Sequence, residues 1–373
     1  MSDSLLAWAT LALSPGIGPQ RFLQLIQRFG SAAAALAARP AQLAGVLDAD
    51  IATTLGGELA QQSAAAALAW AEADGCHLLT LQDDDYPCQL AEAGAAPPLL
   101  FARGRRELLA ASMLAIVGSR NSTPQGDDNA RSFARNLAAN GYSIVSGLAD
   151  GIDAAAHEGA LPQAASTVAV IGTGIDRVYP ARNRELAHRI AQQGLILSEF
   201  PLGTPPLAQN FPRRNRIIAG LARGCLVVEA TLQSGSLITA RLALEAGREV
   251  MAIPGSILNP QARGCHRLLK DGARLVETVD DVLDEVGRLP LPAAMTAAMT
   301  AASPAAVADT PVAAPLLQAM GFDPVDADTL AARLGLTPGE VYAMLLELEI
   351  QGHVDSMHGG RYQRRGNAAD TIC

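Results

Sequence analysis

The chain has 373 residues, enough for two or three domains, and 49 % of them are hydrophobic, so sizeable cores can form. Charged residues make up only 17 %, which argues against disorder, and a formal net charge of -9 counts against a protein that holds nucleic acid by overall basicity. Lys270 is the one lysine among 28 basic residues, so any phosphate site must rely on Arg forks, backbone N–H groups and hydroxyls.

The five cysteines (Cys76, Cys88, Cys225, Cys265, Cys373) form no CxxC pair, and their number is odd. Neither a disulfide framework nor a zinc site is expected, and a reducing cytoplasm fits. The N-terminal apolar stretch has no basic lead and is soon broken by Ser14-Pro15-Gly16, so no signal peptide or membrane span is expected.

Residues 4 to 75 are Ala/Leu-rich and read as short helices, a domain (1–75) of SAM or helix–hairpin–helix type. Pro15-Gly16-Ile17-Gly18-Pro19 separates two apolar helical runs and has the form of a helix–hairpin–helix turn. A plain turn in a helical bundle is favoured over a DNA-phosphate contact, because the flanks hold only Arg21 and Arg28. From about 112, short β-branched runs alternate with amphipathic stretches. Strands are predicted at Met113–Val117, Ser143–Val145, Thr167–Ile171, Leu195–Leu197, Leu226–Val228 and Glu249–Ile253, with helices such as Asp127–Ala139 and Ser236–Ala246 between them. That alternation predicts an α/β fold: an extended Rossmann-like parallel sheet covered on both faces, over 76–289. Residues 290–313, mostly Ala, Pro, Met and Thr, predict a flexible linker. In the tail (314–373), Asp326 and Thr337 read as N-caps of two helices separated by Gly335, and Gly352 to Tyr362 as a β-wing, the pattern of a winged-helix domain.

Five segments follow predicted strands and carry the chemistry. Gly118-Ser119-Arg120 offers close backbone approach, a hydroxyl and a charged fork, with the start of a helix nearby to add partial positive charge; alone, it is also what a tight strand-to-helix turn with a surface Arg looks like. Ser146-Gly147-Leu148-Ala149-Asp150-Gly151-Ile152-Asp153 follows the second strand. Its Asp153 and His157 share a helix face, but no third ligand is spaced for a metal, so a cap with a hydrogen-bonded His is favoured. Gly172-Thr173-Gly174 begins like a dinucleotide fingerprint but has Arg177 where the third Gly belongs, and no GxxxxGK[ST] occurs, so no nucleotide cofactor is expected. Arg182 and Asn183 continue that segment. Phe211-Pro212-Arg213-Arg214-Asn215-Arg216 is the densest cluster of positive charge. It is read as lying before a helix and, since no acidic residue lies between 200 and 228, as unpaired until a polyanion meets it; Arg216 alone could instead be structural. Ser234-Gly235-Ser236 and Thr239 sit at a strand-to-helix junction suited to an anion or simply to N-capping. A parallel sheet would bring all five to one edge, where Arg contacts to phosphate are sequence-blind and Phe211 or Tyr179 can stack on bases. A flexible single strand is the expected ligand.

Four of these stretches, Ile-Val-Gly-Ser-Arg, Val-Ser-Gly-Leu-Ala-Asp-Gly-Ile-Asp-Ala-Ala-Ala-His, Phe-Pro-Arg-Arg-Asn-Arg-Ile-Ile-Ala-Gly-Leu and Ser-Gly-Ser-Leu-Ile-Thr-Ala, with Asp85-Tyr86-Pro87 and Pro97-Pro98-Leu99, closely resemble the DNA-processing protein A family over residues 80 to 285. The resemblance implies natural transformation: binding and shielding incoming single-stranded DNA, loading the recombinase RecA onto it, dimerising through the Rossmann-like domain, and no catalytic activity. It implies a phosphate pocket using Arg120. Where many members carry a Lys directly after Tyr-Pro, this chain has Ala181, with Arg182 beside it. The alternative is a nucleotide-processing enzyme on the same scaffold, akin to phosphoribohydrolases, with Glu229 or Glu245 as the groups to test; the fold alone does not separate the two. The winged helix is not expected to be the main DNA reader. Residues 314 to 365 carry seven acidic and four basic residues, and the helix from Thr337 to Ile350 has no Lys or Arg.

Overall fold

The computed structural model describes residues 2–94, 96–290 and 314–365. All of the expected linker except Pro290, together with Cys373, lies outside the described residues.

Six helices, α1 (Ser2–Ala12), α2 (Pro19–Phe29), α3 (Ala32–Leu36), α4 (Pro40–Leu43), α5 (Ala49–Thr54) and α6 (Glu58–Ala71), form the N-terminal unit. The turn before α2 is made by Gly16, whose φ of 80° favours glycine and which lies against Ile51. Trp8 and Phe22 meet edge to face at 4.7 Å, and the Trp8 indole donates to Pro98 O at 2.7 Å. That bond crosses into the next unit, and one apolar cluster joins Trp8, Phe22 and Leu25 to Leu78, Phe101 and Ile196 of the sheet.

The sheet has nine strands: β1 (Cys76–Thr80), β2 (Leu99–Gly104), β3 (Met113–Val117), β4 (Ser143–Ser146), β5 (Thr167–Val170), β6 (Leu195–Ser198), β7 (Gly224–Val227), β8 (Glu249–Ala252) and β9 (Arg274–Leu275). Their order is β1-β2-β6-β5-β4-β3-β7-β8-β9. The six strands from β3 to β8 are those predicted, with ends shifted by one or two residues, and all pair in parallel. The sheet also carries an antiparallel edge the sequence reading lacked: β2 runs against β6 and β1 against β2.

Between strands lie α7 (Cys88–Glu92), α8 (Pro124–Ala139), α9 (Ile152–Ala160), α10 (Arg184–Gln193), α11 (Asn210–Leu221), α12 (Ser236–Glu245), α13 (Arg263–Lys270) and α14 (Val279–Val286). β3 shows how the layers form. All five residues are buried; Met113, Ala115 and Val117 pack towards α11, α12 and α13, whereas Leu114 and Ile116 pack towards α8, α9 and α14. The chain runs from β3 outward to β6, then returns to place β7 on the other side of β3. In open α/β sheets, that reversal is where the strand ends leave a crevice.

The winged-helix unit has α15 (Ala314–Met320), α16 (Ala327–Leu334), α17 (Pro338–Ile350) and a small sheet of β10 (Val325–Asp326), β12 (Arg361–Arg364) and β11 (Val354–Met357). Asp326 caps α16, Gly335 ends it in the left-handed region, and Thr337 with Glu340 forms a capping box on α17, as expected. Gln363 of β12 accepts a hydrogen bond from the Gln125 N–H in the first turn of α8, at 3.3 Å. No helix among the described residues is long and apolar enough to cross a membrane.

The closest helix packing makes a stability test. A Cβ at Gly159 of α9 would overlap the Arg131 backbone carbonyl of α8. Gly159→Ala is expected to lower stability by about 1–3 kcal/mol, read as the shift in a urea unfolding curve; an unchanged midpoint would contradict this packing.

Candidate nucleic-acid interface

A cleft of about 590 Å³ opens at the carboxyl ends of β3 and β7, where the strand order reverses. Of the residues expected at the site, Gly118, Ser119, Arg120, Phe211, Arg214, Asn215, Ser234, Gly235, Ser236 and Thr239 line it. Tyr179 lines it too, and the cleft adds Thr231, Gln233 and Gln261, which sequence reasoning did not single out. Thr231 and Gln233 lie in the same post-strand segment as Ser234. Gln261 belongs to a distant loop, and its carbonyl accepts from Ala230 N at 2.7 Å.

The floor is Arg214. It is 4 % exposed, and its guanidinium donates to the carbonyls of Gly147 and Val170, at the ends of β4 and β5. A Cβ at Gly147 would fall on that guanidinium, which is why this position has no side chain. Asp153 also lines the cleft, accepting from the Gly147 and Ala149 amides at 3.1 and 3.3 Å. Burial lowers the Arg214 pKa to about 10, so it stays cationic at neutral pH. Burial pushes the Asp153 carboxyl up, against the pull of Arg214.

One wall is the Gly118–Arg120 turn. Ser119 N donates to Glu229 O at 2.7 Å, which ties the end of β3 to the segment after β7, and Ile152 N donates to Ser119 O at 3.2 Å. Gly118 is pressed between Ile152 and the Glu229 carbonyl. Arg120 is exposed and forms no ion pair among the described residues; its guanidinium lies 5.5 Å from the centre of the Phe211 ring. Tyr179 continues the row, 5.6 Å from Phe211. The opposite wall is the first turn of α12, where the Ser234 and Ser236 hydroxyls are 2.7 Å apart, Ser234 Oγ accepts from Ser236 N at 3.4 Å, and no acidic side chain among the described residues caps the helix. Its N-terminus therefore faces the cleft with partial positive charge.

Sequence reasoning gave an anion-binding role both to this helix start and to that of the helix after Arg120, and for the latter the structure corrects it. The start of α8 is occupied by the protein's own groups. Thr123 Oγ1 accepts from Gly126 N, Glu229 accepts from Thr123 N and Oγ1 at 2.9 and 2.7 Å, and Gln363 takes Gln125 N. Burial raises the Glu229 pKa to about 7. With its carboxylate on Thr123, Glu229 is turned to α8; Glu245 is exposed at the far end of α12, paired with Arg241.

The Arg cluster is corrected as well. It lies inside α11, not ahead of it, and helical spacing sends its members apart. Arg214 points into the sheet. Arg216 pairs with Glu199, one residue outside the acid-free window, and that carboxylate is 6 % exposed. Only Arg213 is exposed, 5.6 Å from the Phe200 ring centre.

The remaining expected residues support the walls from behind. Ser146 Oγ donates to Ile116 O at 2.7 Å, Gly172 lies under the Phe211 ring, and Gly174 N donates to Thr204 O at 3.0 Å. Asn183 donates to the carbonyls of Leu148 and Ala149 at 3.0 and 3.1 Å. Arg182 is exposed at the rim and paired with Asp150. His157, fully buried, accepts from Leu148 N through Nε2. Its Nδ1–H therefore donates to Thr167 Oγ1 at 2.7 Å, and burial lowers its pKa to about 3. The pair with Asp153 is thus a brace for the 147–153 loop. Among the described residues no three His, Cys, Asp or Glu side chains gather as a metal site.

Fold and site together define a Rossmann-like domain with a cleft at its strand ends, flanked by an N-terminal helical unit and a winged-helix unit. The chain belongs to the DNA recombination-mediator protein A family, whose model matches residues 77–287. A DprA winged helix domain matches residues 300–360 and a DprA-like N-terminal HHH domain residues 2–54. The second match corrects the plain-turn reading of Pro15–Pro19 in architecture. Its Arg21 is held by Asp48 and by Gly16 O. Protein Smf of Escherichia coli (strain K12) is 42 % identical over 82 % of each chain. DNA processing protein DprA of Streptococcus pneumoniae is 50 % identical over 55 % of this chain and 73 % of that protein. The X-ray structure of DprA from Streptococcus pneumoniae superposes with a TM-score of 0.66 at 39 % identity, covering 75 % of this chain and 97 % of that one. A Helicobacter pylori DNA processing protein A, described for its single-stranded DNA binding mode, gives 0.51 at 32 % identity over 56 % and 94 %.

Two tests follow from this geometry. Arg214→Ala leaves Asp153 and two carbonyls without their partner and should cost about 3–5 kcal/mol of stability, while Arg213→Ala should stay within about 0.5 kcal/mol; equal effects in urea unfolding would contradict the burial. For His157, the folded pKa of about 3 lies below the ordinary 6.5, so its contribution is whole above 6.5 and lost as pH falls towards 3. His157→Gln should flatten the fall in stability across that window, followed by thermal melts at successive pH values.

Proposed function

We propose that the cleft holds the phosphate backbone of single-stranded DNA, and that the chain acts as a recombination mediator in DNA uptake. On this reading it shields the incoming strand, loads RecA onto it, and works in the cytoplasm as a homodimer paired through the Rossmann-like domain. Its working parts are residues 1–75, 76–289, a linker at 290–313 and 314–373. One observation carries the DNA reading: Arg120, without a carboxylate partner among the described residues, faces the first turn of α12, which carries hydroxyls and no acidic cap among those residues, across a floor made cationic by Arg214. Fork, helix terminus and buried charge converge on one anion, in a protein whose net charge is -9. The adjoining Phe211 and Tyr179 rings suit unstacked bases, which only a single strand presents freely. Family membership and the Helicobacter pylori relative support the same ligand and the mediator role. RecA and the homodimer rest on the family resemblance. No observation favours the enzyme alternative, since Glu229 is engaged by Thr123.

Arg120→Ala should weaken binding of single-stranded oligonucleotides regardless of sequence and lower the slope of log affinity against log salt by about 0.7. Asp150→Asn should act oppositely, because it releases Arg182 at the rim for a further phosphate. Fluorescence anisotropy across a salt series reads both, and an unaltered slope in Arg120→Ala would remove the cleft from consideration.

A further inference from the structure

In the winged-helix unit, α17 is apolar on two faces. Val341, Leu345 and Leu348 fill the core beneath it. Tyr342, Leu346 and Ile350, spaced four residues apart, form a second stripe that is 48, 59 and 79 % exposed. The Tyr342 ring meets Tyr362 edge-on at 6.3 Å, which extends the stripe to the wing. An exposed apolar stripe on a helix that needs none for its own core marks a binding surface.

Charge identifies what fits it. On the helix side no Lys or Arg occurs from 334 to 360, and Glu347 and Glu349 flank the stripe with no cationic partner among the described residues; Arg361 and Arg364 lie only at the wing end, Arg364 over the Phe322 ring. Nucleic acid phosphates and anionic membranes are repelled by such a rim. A helix bearing apolar anchors at the same spacing, with cations on either side, satisfies both the stripe and the rim.

We propose that this face of α17 is a docking surface for an amphipathic helix of another protein, one whose apolar stripe is flanked by Lys and Arg. The probe is a Leu/Lys amphipathic peptide of about 18 residues, long enough to form a helix by itself, with a Leu/Glu peptide as control. Both are titrated onto the full chain and onto the Leu346→Ser/Ile350→Ser variant, which keeps every charge. The expected result is saturable binding of the Leu/Lys peptide alone, weakened at least about tenfold in the variant, with single-stranded DNA affinity and melting behaviour intact. Equal binding to wild type and variant would mean mere attraction to an acidic protein and would overturn the proposal. So would two other losses specific to the variant: of self-association in sedimentation, which gives the face to a second copy, or of duplex DNA binding, which gives it to nucleic acid.

Discussion

The site depends on one buried charge. Arg214 reaches from α11 through to the ends of β4 and β5, where its fork is held by two backbone carbonyls near Asp153. A cation in such a place is stable only when its donors are matched, so its surroundings are constrained in turn. Gly147 lacks a side chain because the guanidinium fills that space. The following loop is bound by Asp153, His157 and Asn183. The cleft thus gains a positive floor that water and salt reach poorly, in a chain that is acidic overall.

Around that floor, the two helix starts nearest the crevice are treated differently. The start of α8 holds an internal carboxyl group, Glu229, which also links β3 and β7 through its backbone carbonyl. The start of α12 has no such group and is left to the cleft. A carboxylate so close to the crevice would repel phosphate if it faced inward. Turned onto Thr123, it stiffens the strand ends that carry Gly118 and Arg120. Arg120 itself is held by an aromatic ring rather than by an acid, so its charge remains available.

The flanking units differ in how they join this centre. The N-terminal helices share an apolar core with β1 and β2, so they and the sheet edge pack as one body. The winged-helix unit has a core of its own and meets α8 through Gln363. Its third helix, α17, presents aliphatic and acidic groups to solvent.

Much of this was legible in the sequence. The six central strands, the alternation with helices, the Asp326 and Thr337 caps and the wing follow from apolar periodicity, N-cap chemistry and turn residues, which are local signals. The segments that form the cleft were legible too, since each follows a strand of one parallel sheet. What the sequence did not carry was direction and partnership. Three arginines written within four residues look like one cluster, but helical rotation sends Arg214 inward, Arg216 to Glu199 and Arg213 to solvent. The antiparallel edge depends on β2 finding β6 nearly a hundred residues away. The choice of α12 over α8 as the open helix start depends on Glu229 crossing from the next strand. The sequence by itself determined which segments meet, because strand order and caps are written in nearby residues. Only the tertiary structure decided which charges are satisfied and which face the cleft, because their partners come from strands and helices far apart in the chain.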